Sequence, residues 1–193
     1  MLRNKLPLFA LEICLFLCAL KNIFYRQVAI EKEEQIENFF QEKKEYGLSD
    51  TSYSYTKMDK ENYVGVVEIP TIHVKAGFFS KESKFNSVEY GIEVIKSSKM
   101  PNEIGNLILA SHSGTSSISY FRNIHQLEKG NIISIYYKGM KYMYRVSLIY
   151  EEKKDGSISL PRVKDKSLLT LTTCKGDKQL ILVSELVFSE TYK

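Results

Sequence analysis

The chain has 193 residues, 44% hydrophobic and 12% aromatic, with 27 basic and 23 acidic residues giving a net charge of +4. That is room and material for one packed domain plus an appendage. The small positive excess is spread along the chain and no Lys/Arg block interleaved with aromatics occurs, so nucleic-acid binding is excluded as a reading.

The amino terminus is apolar. Arg3 and Lys5 precede residues 6–20, a run interrupted only by Pro7 and Glu12, and Ile23, Phe24 and Tyr25 continue it past Lys21. The pure run is shorter than the ~20 residues a spanning helix needs, and extension to Tyr25 with Lys21 snorkelling reaches that length. No small-x-small cleavage signal ends it. Residues 1–26 therefore read as an uncleaved single-pass signal-anchor in the cell membrane, amino terminus cytoplasmic and the rest outside. An amphipathic or core helix is the alternative. Cys14 and Cys18, four residues apart on one helix face, read as apolar filler.

Residues 27–60 read as a stalk and linker. Residues 27–46 are rich in helix formers, with Ile36, Phe39, Phe40 and Lys43 at helical spacing, and Gly47 stops the run. Residues 49–56 are a Ser/Thr/Tyr tether with no periodicity. A helix packed on the following domain is the alternative to a free stalk.

From Tyr63 the pattern turns to β, and residues 61–193 read as the folded domain. Strands are expected at 63–69, closed by Pro70, then at 107–111, 132–137, 140–150, 168–173 and 180–188. Lys138-Gly139 signals a hairpin, and Lys175-Gly176-Asp177 joins the last pair. One short helix is expected at 121–127. The last two strands are apolar at nearly every position, as strands buried on both faces are. Short strands with Gly turns predict a small all-β barrel or sandwich.

Cys174 is the lone thiol of that domain. It directly follows a β run and directly precedes a turn, a place that holds a nucleophile rigidly while letting it meet substrate. An inert buried cysteine would look the same in composition. Three histidines could supply a base. His112 ends an apolar strand within Ala-Ser-His-Ser-Gly, where small neighbours leave its ring accessible. His73 lies in a turn-strand segment at the surface, and His125 sits in the expected short helix as a surface or packing residue. The cysteine spacing fits neither a disulfide framework nor a metal site. No metal and no cofactor is expected.

Three ordered motifs carry a resemblance. Gly65-Val66-Val67-Glu68-Ile69-Pro70, Gly105-Asn106-Leu107-Ile108-Leu109-Ala110-Ser111-His112 and Thr170-Leu171-Thr172-Thr173-Cys174 resemble the signatures of sortases, cysteine transpeptidases of Gram-positive cell envelopes. The stretch 121–144 is similar to that family's central region, and the resemblance covers roughly residues 61–188. It implies a closed β-barrel of about eight strands with one or two short helices, behind an N-terminal transmembrane helix and helical stalk. It implies that Cys174 attacks an LPxTG-like sorting signal of a secreted protein and holds it as a thioacyl-enzyme. His112 would act as acid and then base, and Thr173 would help position the substrate. The acceptor would be an amine on a cell-wall peptide or a pilin lysine.

One position departs from that pattern. The family carries an arginine on the strand after the cysteine, and here the register puts Gln179 there, with Lys178 beside it on the opposite strand face. Neither offers the charged planar fork of arginine, although Gln179 retains a neutral donor for an oxyanion. A catalytically silent module that binds sorting signals is the second reading, motivated by this exchange. A papain-like hydrolase lacks its signature around the thiol. Substrate-reading loops are expected at 77–90 and 151–166. The acids among residues 151–155 read as a solvated turn rather than a cation site.

Overall fold

The computed structural model describes residues 6–45, 62–155, 157–160 and 165–192. The chain divides into two compact units, residues 1–34 and 35–193. Helix α1 (Leu6–Glu45) runs without interruption for 40 residues. Within its stretch Ile13–Gln41 an 18-residue window has a mean hydropathy of 1.5, and by length and composition the helix could cross a membrane. Leu15, Phe16, Leu17, Ile23 and Phe24 stand exposed along it, as lipid-facing residues would. The tether expected at 49–56 lies outside the described residues.

The second unit begins with the last turns of α1. Phe39 is only 5% exposed. Phe40 stands edge-on to Tyr136 and Tyr192, with ring centroids 5.1 and 5.6 Å apart, and the Lys75 ammonium lies 4.7 Å over its ring. The end of the helix is thus packed on the domain, the alternative to a free stalk. The two phenylalanines at helical spacing are the residues that dock it. Burial pushes the Tyr192 phenol up to about 12.

Eight strands follow: β1 (Gly65–Ile69), β2 (Val74–Phe78), β3 (Glu93–Val94), β4 (Gly105–Ala110), β5 (Ile132–Tyr137), β6 (Met140–Lys153), β7 (Ser167–Lys175) and β8 (Lys178–Thr191). They form one sheet in the order β2-β1-β5-β6-β8-β7-β4-β3. An isolated bridge between Phe78 and Ile92 joins the two outer edges, so the sheet is a nearly closed barrel. Closure satisfies edge strands that would otherwise invite pairing with other chains. All ladders are antiparallel except β4 with β7. Among the described residues of the barrel, helical structure is limited to two 3₁₀ turns, Pro70–Ile72 and Ile124–Gln126. The second lies inside the short helix expected at 121–127.

Six of the eight strands lie where the sequence puts them. The β5–β6 hairpin turns on Lys138 and Gly139, both with positive φ (48° and 74°), as a two-residue turn matched to strand twist requires. The two strands not expected, β2 and β3, are short. β2 begins immediately after the left-handed His73 (φ 55°), a tight reversal that no local apolar pattern announces. β6 and β8 are also longer than expected, at 14 residues each. Their polar outer ends carry little apolar signal and are held by thirteen paired positions, with two register shifts that bend the ladder.

The main core fills the barrel with Val67, Ile69, Phe78, Ile92, Leu107, Leu109, Phe121, Ile135, Tyr144, Leu169, Leu171 and Leu182 among others. Leu168, Ile181 and Val183 point the other way. They form a second small cluster with Tyr150 and with Ile158 and Leu160 of the β6–β7 connection. This explains why β7 and β8 read as apolar throughout: one face packs inward and the other is covered by a loop.

Candidate active site

Two parallel strands build the site. β4 and β7 are paired through Ala110↔Thr172, and the Ser111 N–H extends the ladder by donating to the Thr172 carbonyl at 3.3 Å. Two residues beyond Ala110 lies His112, and two beyond Thr172 lies Cys174. A parallel register carries both to the same end of the sheet, although they are 62 positions apart in sequence. His112 is exposed and Cys174, a free thiol, is half-buried. Cys174 lies within β7 rather than just after it, because β7 continues to Lys175 and reverses at once over Gly176 (φ 62°) and Asp177. The thiol is therefore held by a strand ladder on both sides of its own residue.

The backbone next to His112 is anchored by side chains. Ser111 is 3% exposed; its hydroxyl donates to the Gly91 carbonyl (2.8 Å) and contacts the Ile118 carbonyl (3.3 Å). The buried Thr173 hydroxyl donates to the Ser111 carbonyl at 2.7 Å. Thr173 and Ser111 immediately precede Cys174 and His112, so this bond ties the two strands together one residue before the pair. The His112 carbonyl accepts from the Phe121 N–H at 3.2 Å. Between them, Arg122 staples the intervening loop, donating from Nε to the Gly114 carbonyl (2.6 Å) and from Nη2 to the Ser116 carbonyl (3.1 Å).

On the other side of β7, Cys174 pairs directly with Gln179 of β8, and Gln179 pairs with Glu152 of β6. Directly paired residues present side chains to the same face. The Gln179 carboxamide donates from Nε2 to the Thr172 hydroxyl at 2.8 Å, and that hydroxyl donates to the Leu180 carbonyl at 3.2 Å. Lys178 pairs instead with Lys175 and Lys153. Its ammonium is 3.2 Å from Glu151, which Lys175 also contacts at 2.6 Å. Hydrogen bonds from Lys175 and then Lys178 hold the Glu151 carboxyl below the usual carboxylate range.

The β6–β7 connection overhangs this face. Glu152 accepts from the Ser159 N–H at 3.0 Å, and the Tyr150 hydroxyl donates to the Ser159 carbonyl. Asp155 accepts from the hydroxyl and N–H of Ser157, which lowers its carboxyl. These bonds, with Ile158 and Leu160 packed on the outer cluster, make a wall beside the row Glu152–Gln179–Cys174.

The other two histidines lie elsewhere. His73 caps the first 3₁₀ turn, and His125 sits in the second with Nδ1 3.0 Å from the Arg122 carbonyl. A cleft of about 290 Å³ lies between Ile72–Lys75 and the segment holding Ser116, Tyr120, Arg122 and Asn123, and neither His112 nor Cys174 lines it. Among the described residues no group of three His, Cys, Asp or Glu is arranged to hold a metal ion. The residues that sequence reasoning passed over are Ser111, Thr172, Glu152 and Arg122. Alternation along β7 could have found Thr172, which must share the face of Cys174. Ser111 reaches Gly91 from 20 positions away, and Glu152 and Arg122 act across loops of six to eight positions, contacts that no periodic pattern carries.

Comparison with known proteins identifies the family and the fold. A sortase domain model matches residues 67–187. Sortase D of Bacillus subtilis (strain 168) is 27% identical over 110 residues, covering 57% of this chain and 53% of that protein. Sortase A of Bacillus anthracis is 24% identical over 140 residues, covering 70% and 65%. The chain thus spans roughly half to two thirds of these relatives. Among solved structures, a Clostridium perfringens sortase D5 transpeptidase superposes with a TM-score of 0.62 at 21% identity, covering 81% of this chain and 98% of the other. A C. perfringens sortase C solved with the C-terminal cell wall sorting motif gives 0.58 at 20% identity, covering 86% and 97%. With a barrel of the same fold and a family match spanning most of that barrel, this chain belongs to the sortase family, a family of cysteine transpeptidases.

Proposed function

We propose that this chain is a membrane-anchored transpeptidase in which Cys174 is the nucleophile and His112 the acid and base. The observation that carries the reading is the parallel β4–β7 register, which sends both residues to one end of the sheet. The Cys174 thiol gives its proton to His112, and its sulfur attacks a backbone carbonyl carbon of an LPxTG-like sorting signal. As the tetrahedral intermediate collapses, the C–N bond breaks and His112 delivers a proton to the leaving amine nitrogen. The acyl group stays on sulfur as a thioester. An incoming amine, from a cell-wall peptide or a pilin lysine, then gives a proton to His112 and attacks the thioester. The C–S bond breaks, an amide forms and the thiol is regenerated, so no external oxidant or reductant is needed.

Gln179 donates a neutral hydrogen bond to the developing oxyanion in place of a charged fork. Its pairing with Cys174 supports it in that role over Lys178, whose ammonium is engaged by Glu151. Thr173 acts through its bond to Ser111. The apolar part of α1 supports anchoring, with residues 1–26 as the anchor, 27–60 as a stalk and linker whose helix rests on the barrel at Phe40, and the barrel outside the membrane.

The test uses the full chain in detergent micelles, incubated with LPxTG-type pentapeptides and a small amine. Mass spectrometry is expected to show an acyl adduct on Cys174 that the amine discharges as a new amide. Peptide binding without any adduct, unchanged in Cys174→Ala, would instead establish a binding module.

A further inference from the structure

We infer that Thr172 is a positioning residue for Gln179, and through it for the thioester formed on Cys174. The inference rests on the transpeptidase reading above. Thr172 is 3% exposed, and its hydroxyl has one hydrogen to give. That hydrogen goes to the Leu180 carbonyl, so the oxygen can meet Gln179 only as an acceptor, and the group it meets at 2.8 Å must be the amide nitrogen. This fixes which way the carboxamide is turned. One N–H is committed to Thr172, no other hydrogen bond to the carboxamide is seen among the described residues, and Gln179 shares a sheet face with its partner Cys174.

A glutamine side chain has three rotatable bonds and no charge to orient it, unlike an arginine beside a developing anion. A donor that must be fixed before the reaction loses its value if the carboxamide turns freely. The same residue also binds on its main chain, since the Thr172 carbonyl accepts from the Ser111 N–H next to His112. Thr172 therefore connects the backbone before His112, the side chain of Gln179 and the strand of Cys174. A sortase with glutamine here needs an acceptor at position 172, and valine would remove it while keeping shape and β preference.

The experiment compares Thr172→Val, Thr172→Ser and Gln179→Ala, singly and combined, in the full chain in detergent. Thr172→Val is expected to lower kcat about tenfold with KM unchanged, Thr172→Ser to restore it, and Thr172→Val to add nothing in the Gln179→Ala background. An unchanged kcat in Thr172→Val, or the same loss in both backgrounds, would overturn the inference. An independent readout is the side-chain amide of ¹⁵N-labelled Gln179, whose hydrogen exchange is expected to accelerate in Thr172→Val. An unchanged exchange rate also overturns it. Faster exchange of this amide in Thr172→Val, together with a wild-type chain that never acylates, would sink the transpeptidase reading while leaving the Thr172–Gln179 bond standing.

Discussion

Two cross-strand rows run side by side over β6, β8 and β7, one residue apart: Glu152–Gln179–Cys174 and Lys153–Lys178–Lys175. Every member of the first is half-buried and every member of the second is exposed. The period of two along a strand sends the rows to opposite faces. The first lies beneath a wall pinned by Glu152 and Tyr150. The second sits in water, where Glu151 offsets part of the repulsion of three aligned ammonium groups. Adjacent residues thus have different chemical value. A neutral amide on the sheltered face can serve an oxyanion better than a full charge on the wet one, because water screens the latter.

The largest effect that would separate the rows is Cys174→Ala, expected to abolish acyl transfer while leaving the fold intact, as followed by product formation and circular dichroism. Any turnover left in that variant would place the nucleophile elsewhere. Next comes Gln179→Ala, expected to lower kcat by ~10²–10³, the usual loss for one oxyanion donor. A loss of less than threefold would remove Gln179 from the machinery. In the wet row, Lys178→Ala is expected to change kcat less than about twofold and the melting temperature by no more than about 2 °C. A tenfold fall in kcat there would show that Lys178 reaches the thiol after all. The smallest effect concerns pH. Because the folded-state Glu151 carboxyl is lowered, its contribution to stability is present above the usual carboxylate value of 4.5 and is lost as pH falls through the lowered one. Glu151→Gln should therefore flatten the acid limb of the stability curve slightly, measured by thermal melts between pH 5 and pH 3. An unchanged limb would mean that the two lysines impose no linkage.

Much of the barrel was legible because its strands announce themselves. β1, β4, β5 and the inner parts of β6, β7 and β8 are apolar runs, and Lys138-Gly139 fits the turn it makes. β2 was hidden because Val74-Lys75-Ala76-Gly77-Phe78 is small and mixed, and it is a strand chiefly because β1 pairs with it at five positions. β3 has two residues, too few for any periodicity to register. Whether the helix of residues 27–46 is free or docked is not local information, since Phe39 and Phe40 serve a free amphipathic stripe as well as a docked one. Tyr136 and Tyr192, nearly a hundred positions or more away, decide it.

The sequence alone determined the residue types available for the chemistry and their local setting. One thiol and one accessible histidine each follow an apolar run, and a glutamine stands five residues past the thiol. These are local facts, set by strand propensity and a Gly turn, whereas the two-residue reversal over Gly176 and Asp177 that sets Cys174 opposite Gln179 is seen only in the fold. Only the tertiary structure decided which distant groups meet them. The parallel β4–β7 ladder, the Thr173–Ser111 bond and the Glu152–Gln179 pairing link positions that no spacing rule connects. Such contacts arise when a barrel closes around one core. Their free energy comes from that closure and not from any segment by itself.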